Sequence, residues 1–268
     1  EIYNFQELRQ ILEAKGHTFR TQSDTEVIIH AYEEYGRACV AQLRGMFAFA
    51  IWDARTQTLF LARDRIGKKP LYYFLSQNYF VFASEIKALL IDDAVPRTPD
   101  LVGIDHFLAL QYIPAPLTAF KGVRKLPAAH WLELRHGHIE IGRYWELHFT
   151  PKLRITMADA IDELKTYIAE AVRLRLVSDV PLGAFLSGGV DSSAVVASMA
   201  QQSDRPVKTF SVGFEDAAFD ERLYARMVAE RYGTEHTELV VKAPVADVLP
   251  RLVWHYDEPF GDASAIPS

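Results

Sequence analysis

The residues best suited to chemistry form the segment Ser187-Gly188-Gly189-Val190-Asp191-Ser192-Ser193, which lies between two apolar runs. These flanks predict a strand before the glycines and a helix after them. Adjacent glycines permit left-handed or crowded backbone, and free N–H groups at a helix start attract an anion. Asp191 would repel a bare phosphate, but Mg²⁺ commonly bridges a carboxylate and phosphate oxygens. The segment therefore predicts a phosphate site with Mg²⁺.

Other readings of the segment were weighed. The simplest is a tight strand-to-helix turn with a serine cap, but the grouping of serines, glycines and an acid favours phosphate binding. A Walker loop needs Gly-Lys-Ser/Thr, and the segment has no lysine. Gly67-Lys68-Lys69 lacks the earlier glycine and the hydroxyl, and Phe185 replaces the first glycine of a nucleophile elbow.

The C-terminal half supplies the elements that must position this loop. Hydrophobic spacing predicts helices and strands in alternation there: helix Met157–Leu176, strand Val180–Leu186, the helix after the loop, strand Val207–Phe214, helix Asp220–Tyr232 and strand Glu238–Val241. Such alternation implies an α/β fold with a parallel sheet and right-handed crossovers. The glycine loop then lies at the carboxyl end of its strand, where ligands of open α/β sheets bind.

The N-terminal half has a different pattern, and composition changes near Thr150. One helix is predicted from Asn4, capped with Glu7, to Gly16, and a second from Ser23 or Asp24 to Gly36. Strands and turns follow: Met46–Trp52, Thr58–Ala62, Leu71–Leu75, Tyr79–Ala83, a short helix Glu85–Ile91, a loop Tyr112–Pro127, and a hairpin Trp131–Ile141. This half is predicted to be an antiparallel α+β domain.

Composition narrows the class of protein. The 268 residues are 49% hydrophobic and 24% charged, with a net charge of −6, which disfavours a nucleic-acid-binding protein. The single cysteine, Cys39, excludes a disulfide framework and is predicted to be a small core residue and not a nucleophile. His136 and His138 lack metal-ligand partners and are predicted to lie in an exposed turn. No apolar run is as long as a membrane span and no signal peptide is present, so a cytoplasmic protein is expected.

Local segments along nearly the whole chain resemble the glutamine-hydrolysing asparagine synthetase family. The segments similar to its glutaminase domain are Glu1–Asn4, Ser23–Val27, Arg44–Ala50, Arg63–Gly67, Lys69–Tyr73 and Ala83–Leu89. Those similar to its synthetase domain are Phe185–Ser193, Phe210–Phe214 and Asp257–Phe260. The resemblance implies an N-terminal-nucleophile (Ntn) type αββα glutaminase domain over residues 1–148. It also implies a PP-loop, adenine nucleotide α-hydrolase-like synthetase domain over residues 149–268.

The resemblance also implies roles for individual residues. Glu1 and Asp24 are expected to hold the α-amino end of glutamine, as carboxylates suit an ammonium group; a helix cap is the alternative for Asp24. The expected ATP-binding residues are Leu186 and Val212 at the adenine, and Ser187, Gly188, Gly189, Asp191 and Ser192 at the pyrophosphate, with Asp191 also at Mg²⁺. Asp257 and Glu258 are candidates to face the reacting site, with a solvated acidic turn as the alternative.

The implied reaction is that of an ATP-dependent carbon–nitrogen ligase of asparagine biosynthesis. Glutamine would be hydrolysed to glutamate and ammonia in the first domain. In the second, aspartate would attack ATP to give β-aspartyl-AMP and pyrophosphate, and ammonia would displace AMP to give asparagine. Glutamine, aspartate and ATP are thus the expected partners, without nucleic acid or membrane, and a homodimer is left open.

The chain departs from the family pattern at both ends. The family's N-terminal cysteine nucleophile and the segments ahead of Glu1 are absent, as are its second phosphate segment and helical C-terminal region. The chain is therefore expected to be an internal fragment without glutaminase activity of its own and with no catalytic residue assigned. Alternatives are a relative with another acceptor, such as a β-lactam-forming, sugar- or peptide-modifying enzyme, or an idle homologue that serves as a binding module. A tRNA-thiolating PP-loop enzyme would want more cysteines and a basic face.

Overall fold

The computed structural model describes residues 1–77, 79–214, 220–241 and 245–262, which fall into two compact units. The first unit comprises Glu1–His148 with Leu249–Ala265, and the second comprises Phe149–Val248 with Ile266–Ser268. The described residues 249–262 therefore follow the second unit in sequence but belong with the first. No helix within the described ranges combines the length and apolar character needed to cross a membrane.

Helices cover part of the first unit's core. They are α1 (Phe5–Ala14), α2 (Asp24–Tyr35), α3 (Cys39–Gln42), α4 (Ile86–Leu89) and α5 (Leu101–Leu110), with a 3₁₀ turn at Gly36–Ala38. The predicted capping box at Asn4 is wrong, because the Asn4 side chain makes no cap hydrogen bond. Its Oδ1 accepts from the Arg44 amide at 2.9 Å and its Nδ2 donates to the Gln42 carbonyl at 3.0 Å. Asn4 thus ties α1 to the segment after α3.

Two antiparallel sheets form the rest of the first unit. One has the order β1-β2-β6-β7, built from β1 (Ala48–Asp53), β2 (Thr58–Arg63), β6 (His130–Arg135) and β7 (His138–Arg143). The other has the order β4-β3-β5, built from β3 (Tyr72–Ser76), β4 (Tyr79–Ala83) and β5 (Val123–Lys125). The predicted loop over residues 112–127 is wrong where it contains β5, whose three residues are too few to show a period of two.

The core of the first unit lies where α1 and α2 pack against a sheet. Leu12, Val27 and Ala31 on the helices are fully buried, and they share a cluster with Phe60 of β2. Each large apolar side chain buried in this way stabilises the fold by about 1.5–3 kcal/mol. Cys39 belongs to the same cluster with no exposed surface, which confirms its prediction as a core residue.

The second unit contains a parallel sheet with the order β10-β9-β8. Its elements are α6 (Met157–Arg175), β8 (Gly183–Phe185), α7 (Val190–Gln201), β9 (Lys208–Phe214), α8 (Arg222–Tyr232), β10 (Glu235–Val241) and the start of α9 (Val245–Tyr256). Phe185 of β8 is in register with Phe210 of β9, and both neighbours of β9 run parallel to it. The glycine segment connects β8 to α7 and so lies at the carboxyl edge of this sheet.

Candidate functional site

The glycine segment starts from a fixed point at the end of β8. Leu186 is buried, and its amide donates to the Phe210 carbonyl at 2.8 Å. Its own carbonyl accepts a hydrogen bond from the Ser211 hydroxyl at 2.6 Å. Both backbone groups of Leu186 are therefore held by β9, so the loop leaves the sheet in a defined direction.

The two glycines of the loop are not equivalent. Gly188 has φ +81°, and a Cβ there would lie 2.6 Å from Tyr224 Cβ and 2.8 Å from the Ala225 amide nitrogen of α8. Gly189 has φ −69° as the N-cap of α7, and a Cβ there would meet only Ser187 Oγ, at 3.4 Å. Left-handed backbone and close approach thus require glycine at Gly188, whereas Gly189 has room for a methyl group.

Serine hydroxyls close a ring of hydrogen bonds across the loop. Ser187 Oγ lies 2.9 Å from Ser192 Oγ, which also accepts from the Ser187 amide at 3.3 Å. The Gly189 amide points to Ser187 Oγ at 3.4 Å. Amides and hydroxyls therefore converge in front of the first turn of α7, where phosphate oxygens are favoured by hydrogen bonds and by the helix dipole. The structure thus brings together Ser187, Gly188, Gly189 and Ser192.

Asp191 and Val212 lie at the same edge of the second unit. Asp191 is in the first turn of α7 and its side chain is exposed, as a carboxylate that meets a hydrated cation must be. Val212 is in β9, two residues beyond the Phe210 carbonyl that binds Leu186, and is in register with Leu239 of β10. Leu186 and Val212 are therefore placed at the carboxyl ends of neighbouring parallel strands.

Sequence reasoning missed Arg222, which lies over the end of β9. A Cβ on Gly213 would be 2.2 Å from Arg222 Nε, so the guanidinium occupies the space beside that glycine. Arg222 donates from Nε and Nη2 to Asp220 at 2.8 and 2.7 Å. This pair lowers the pKa of Asp220 and raises that of Arg222. The only signal in the sequence was a glycine near the end of a strand, which often marks a close approach.

Ser211 and His236 form a polar layer behind the loop that was also missed. Ser211 is buried, and its hydroxyl lies 3.3 Å from His236 Nε2 as well as donating to Leu186. His236 Nδ1 lies 2.8 Å from Thr209 Oγ1. These side chains project from β9 and β10, so they link the middle of the sheet to the point where the loop begins. Polar residues inside an apolar strand were the available signal.

In the first unit, Glu1 and Asp24 lie side by side. Asp24 Oδ2 accepts from the Ile2 amide at 2.8 Å and lies 3.8 Å from the Glu1 backbone nitrogen. Asp24 is the first residue of α2, but the N-cap is Ser23, whose hydroxyl accepts from the Thr25 amide at 3.1 Å. The Asp24 carboxylate is therefore directed to the segment at Glu1 and does not cap its own helix.

Gly45 allows the segment at Glu1 to lie against the chain ahead of β1. Glu1 O accepts from the Met46 amide at 3.0 Å, and the Tyr3 amide donates to Arg44 O at 2.7 Å. A Cβ on Gly45 would lie 2.1 Å from Glu1 O, closer than any real contact. Gly45 is thus needed for the position of Glu1, and the motif Arg-Gly-Met contributes a backbone approach.

Arg63 and Asp64 build the turn after β2. Asp64 is buried, and its carboxylate accepts backbone hydrogen bonds from Lys68 and Lys69, both at 2.9 Å, and more weakly from two further amides. The Arg63 guanidinium donates to three carbonyl groups at 2.7–2.8 Å, and burial lowers its pKa. Both side chains are occupied by backbone groups, so their role here is to hold the turn.

The expectation that Asp257 and Glu258 face the reacting site is wrong, because both carboxylates pair with lysines of the first unit. Asp257 accepts from the Lys87 amide at 3.1 Å and lies 3.1 Å from Lys87 Nζ. Glu258 pairs with Lys125 and accepts from the Ala119 amide at 3.2 Å. With 8% and 12% of their side chains exposed, they do not form a solvated turn either. They follow α9 and not a strand, which the sequence analysis did not predict.

Cys39 is not placed for nucleophilic chemistry. Burial raises the pKa of its thiol to about 12, so the thiolate is suppressed at neutral pH. This agrees with its prediction as an inert core residue. His136 and His138 lie in the exposed β6–β7 turn, as predicted.

Two family models match the chain. The model for a glutamine amidotransferase domain matches residues 1–145, and the model for asparagine synthase matches residues 163–268. The chain is 39% identical over its whole length to asparagine synthetase [glutamine-hydrolyzing] 1 of Bacillus subtilis (strain 168), covering 42% of that protein. It is 37% identical over its whole length to a putative asparagine synthetase [glutamine-hydrolyzing] 2 of Methanocaldococcus jannaschii, covering 52% of it.

A more distant relative has a different name. Amidase chyE of Penicillium rubens is 33% identical over 99% of the chain, which covers 42% of that protein. The chain thus spans about half the length of the curated relatives it matches. Among solved structures, a glutamine phosphoribosylpyrophosphate amidotransferase from B. subtilis aligns over 93% of the chain and 48% of its own, at 17% identity and a TM-score of 0.35. That alignment is too loose to support a statement about fold.

Proposed function

Because this chain belongs to the glutamine amidotransferase family over residues 1–145 and carries an asparagine synthase domain over residues 163–268, we propose that it is part of a glutamine-hydrolysing asparagine synthetase. The whole protein would use ATP to join ammonia from glutamine to the side-chain carboxylate of aspartate. The observation that carries the proposal is Gly188, which holds the loop at the carboxyl edge of the parallel sheet with φ +81° and no room for a side chain.

In the synthetase domain, the loop would bind the pyrophosphate of ATP. The backbone amides of Ser187 and Gly189 and the hydroxyls of Ser187 and Ser192 would donate to phosphate oxygens in place of their present bonds to one another. Donors fixed before the reaction stabilise charge that develops on the leaving group. The backbone at Leu186 and Val212 would contact the adenine.

The exposed carboxylate of Asp191 fits a Mg²⁺ ion, which prefers oxygen ligands and binds through one or two carboxylates together with phosphates. Asp191 would hold the ion beside the first turn of α7. When bound, the ion neutralises negative charge on the phosphates. Asp191 itself would keep that charge close to the amides of the loop and away from bulk water.

In the glutaminase domain, Glu1 and Asp24 would bind the α-ammonium group of glutamine. Their proximity supports this, since the Asp24 carboxylate lies 3.8 Å from the Glu1 backbone nitrogen. Hydrogen bonds from an ammonium to carboxylates are among the stronger ones, so this pair would select the amino-acid end of the substrate. We further propose an Ntn-type αββα fold for residues 1–148 and a PP-loop fold for residues 149–268. The homodimer and the cytoplasmic location implied by the resemblance stay predictions.

A second candidate keeps the chemistry and changes the acceptor. It is favoured by the relative that is named an amidase and covers nearly the whole chain. The two candidates differ in which carboxylate is adenylated, and they share the loop at Gly188 and the pair at Glu1 and Asp24.

The test is to incubate the full-length protein with ATP and Mg²⁺, with glutamine or ammonium chloride, and with or without aspartate. We expect pyrophosphate release to depend on aspartate, and asparagine to form with either nitrogen source. ATP turnover that ignores aspartate but responds to another carboxylate would favour the second candidate. Binding of ATP without pyrophosphate release under every condition would contradict both and indicate a binding module.

A further inference from the structure

A group of histidine and glutamate side chains lies between α1 and α2, apart from both sites described above. Ligand atoms of His17, His30 and Glu33 all lie within 4.8 Å of one another, the arrangement of potential metal ligands found in the described part of the chain. We propose that these three residues bind a divalent transition-metal ion, with Zn²⁺ as the best fit. Imidazole nitrogens suit zinc and its neighbours, whereas Mg²⁺ and Ca²⁺ prefer oxygen ligands alone.

The distances are close to those of a tetrahedral site. Glu33 Oε2 lies 3.5 Å from His17 Nδ1 and 2.8 Å from His30 Nδ1. Bonds of about 2.0–2.2 Å to a tetrahedral zinc ion separate neighbouring ligand atoms by roughly 3.4 Å. Small rotations of the Glu33 side chain and the His30 ring would therefore open the space for the ion between the two Nδ1 atoms and the carboxylate.

Each histidine has a second carboxylate on its far side. His17 Nε2 lies 3.2 Å from Glu34 Oε2, and His30 Nε2 lies 3.7 Å from Glu26 Oε1. Metal-binding histidines characteristically donate their other ring N–H to a carboxylate, which fixes the tautomer and the ring orientation. Glu26 and Glu34 thus direct both Nδ1 lone pairs towards Glu33, and a simple exposed pair of charged groups would not need this arrangement.

The backbone places the ligands before any ion binds. Gly16 has φ +97°, its amide donates to Glu13 O at 3.0 Å, and the His17 amide donates to Leu12 O at 3.1 Å. These bonds form a Schellman motif, which fixes His17 to the end of α1. His30 and Glu33 are three residues apart on α2, so they share a helix face.

Packing and charge complete the site. The Phe19 ring meets the His30 ring edge-on with centroids 4.6 Å apart, which limits rotation of His30. Both histidine side chains are 16% exposed and Glu33 is 42% exposed, so an ion could enter from the Glu33 side and keep water as a fourth ligand. Lys15 opposes the cation but is held by Glu34 at 2.6 Å on the outer side of the cluster.

The test is a titration of the metal-free, full-length protein with Zn²⁺ in competition with a chromophoric chelator. We expect one equivalent to bind, and His30→Asn to weaken that binding at least 100-fold. The matched control is the double variant His136→Asn, His138→Asn, which removes two surface histidines and should leave the affinity unchanged. Equal affinity in His30→Asn and in the unaltered protein would overturn the proposal.

Two further variants separate metal binding from a structural role of the cluster. Glu34→Gln leaves the three ligands in place and should weaken Zn²⁺ binding about 10–100-fold, the usual effect of losing a partner of a ligating histidine. Co²⁺ should give the absorption of a tetrahedral site in the unaltered protein and in the control, but not in Glu33→Gln. Tetrahedral Co²⁺ absorption that persists in Glu33→Gln would overturn the assignment, whether or not the histidine variants fold.

Discussion

A side chain on Gly188 would place its first carbon 2.6 Å from the Cβ of Tyr224, so the phosphate loop and α8 are fitted to each other at this point. The same glycine has φ +81°, a conformation that other residues adopt at a cost of about 1–3 kcal/mol. Gly188 thus determines both the shape of the loop and its distance from α8, which makes it the sharpest place to test the ATP site.

We expect Gly188→Ala to reduce ATP-dependent pyrophosphate release by at least about 100-fold, since a displacement of about 1 Å at a reacting group costs that much. The larger Gly188→Val should abolish it. The control is Gly189→Ala, which meets only Ser187 Oγ at 3.4 Å and should stay within a few-fold of the unaltered enzyme. Equal activity of the two alanine variants, both shown to be folded by circular dichroism, would contradict the role assigned to Gly188.

Asp191→Asn is expected to slow adenylation by about 100-fold and to raise the Mg²⁺ concentration needed for half-maximal rate. The amide keeps the size of the side chain but loses the charge that would hold the ion. The measurement is the initial rate of pyrophosphate release against Mg²⁺ concentration. Asp204→Asn, which removes an exposed acid beyond the end of α7, serves as the control. Superimposable curves for Asp191→Asn and the control would leave Asp191 with no part in metal binding.

Gly45→Ala should raise the KM for glutamine by at least tenfold without changing the ammonia-dependent reaction. A methyl group there would lie 2.1 Å from Glu1 O, so the segment at Glu1 must move away from Asp24. Gly137→Ala, in a turn with no atom within 4 Å of the added carbon, is the control for a general loss of stability. A Gly45→Ala enzyme with an unchanged KM for glutamine would show that the position of Glu1 does not matter for binding.

Cys39 predicts a pH dependence of stability. Burial raises the pKa of its thiol from 9.0 to about 12, so the folded state holds a proton that the unfolded chain releases above pH 9. The free energy of unfolding should therefore fall as pH rises through this window, by about 1.4 kcal/mol at pH 10. Denaturant titrations at pH 7 and pH 10 should show this loss in the unaltered protein but not in Cys39→Ala. The same pH dependence in both proteins would assign it to other groups.

Glu258→Gln should destabilise the first unit by about 3–5 kcal/mol, because it leaves Lys125 largely buried without its carboxylate. The measurement is chemical denaturation monitored by tryptophan fluorescence. Asp162→Asn breaks a pair whose side chains are mostly exposed and should leave the denaturation midpoint unchanged. If both variants unfold at the same denaturant concentration, the Glu258–Lys125 pair does not stabilise the fold.

Sequence patterns reached the parts of the fold that depend on near neighbours in the chain. Alternation of strands and helices predicted the parallel sheet, and apolar spacing predicted Val27 and Ala31 as the buried face of α2, because both follow from periods of two and 3.6 residues. The short strand β5 was missed because it forms through pairing with β3, a contact that its own three residues do not encode.

The candidate site was predictable in its members but not in their division of labour. Serines and glycines identified the loop, yet Gly188 differs from Gly189 only because α8 approaches one and not the other. Arg222 and the lysine partners of Asp257 and Glu258 were invisible for the same reason. Their positions depend on contacts between residues that are far apart in sequence, for which a single chain carries no periodic signal.

The pairing of Lys87 with Asp257 joins residues 170 positions apart, and this has a consequence for synthesis on the ribosome. At about 5–20 residues per second, roughly 10–30 s pass between the emergence of the lysine and that of its acid. During that interval the first unit has its helices and sheets but lacks the stretch that completes it, while the second unit is being made. The nascent chain therefore closes its first unit last, and this half-finished surface is the natural place for a chaperone to act.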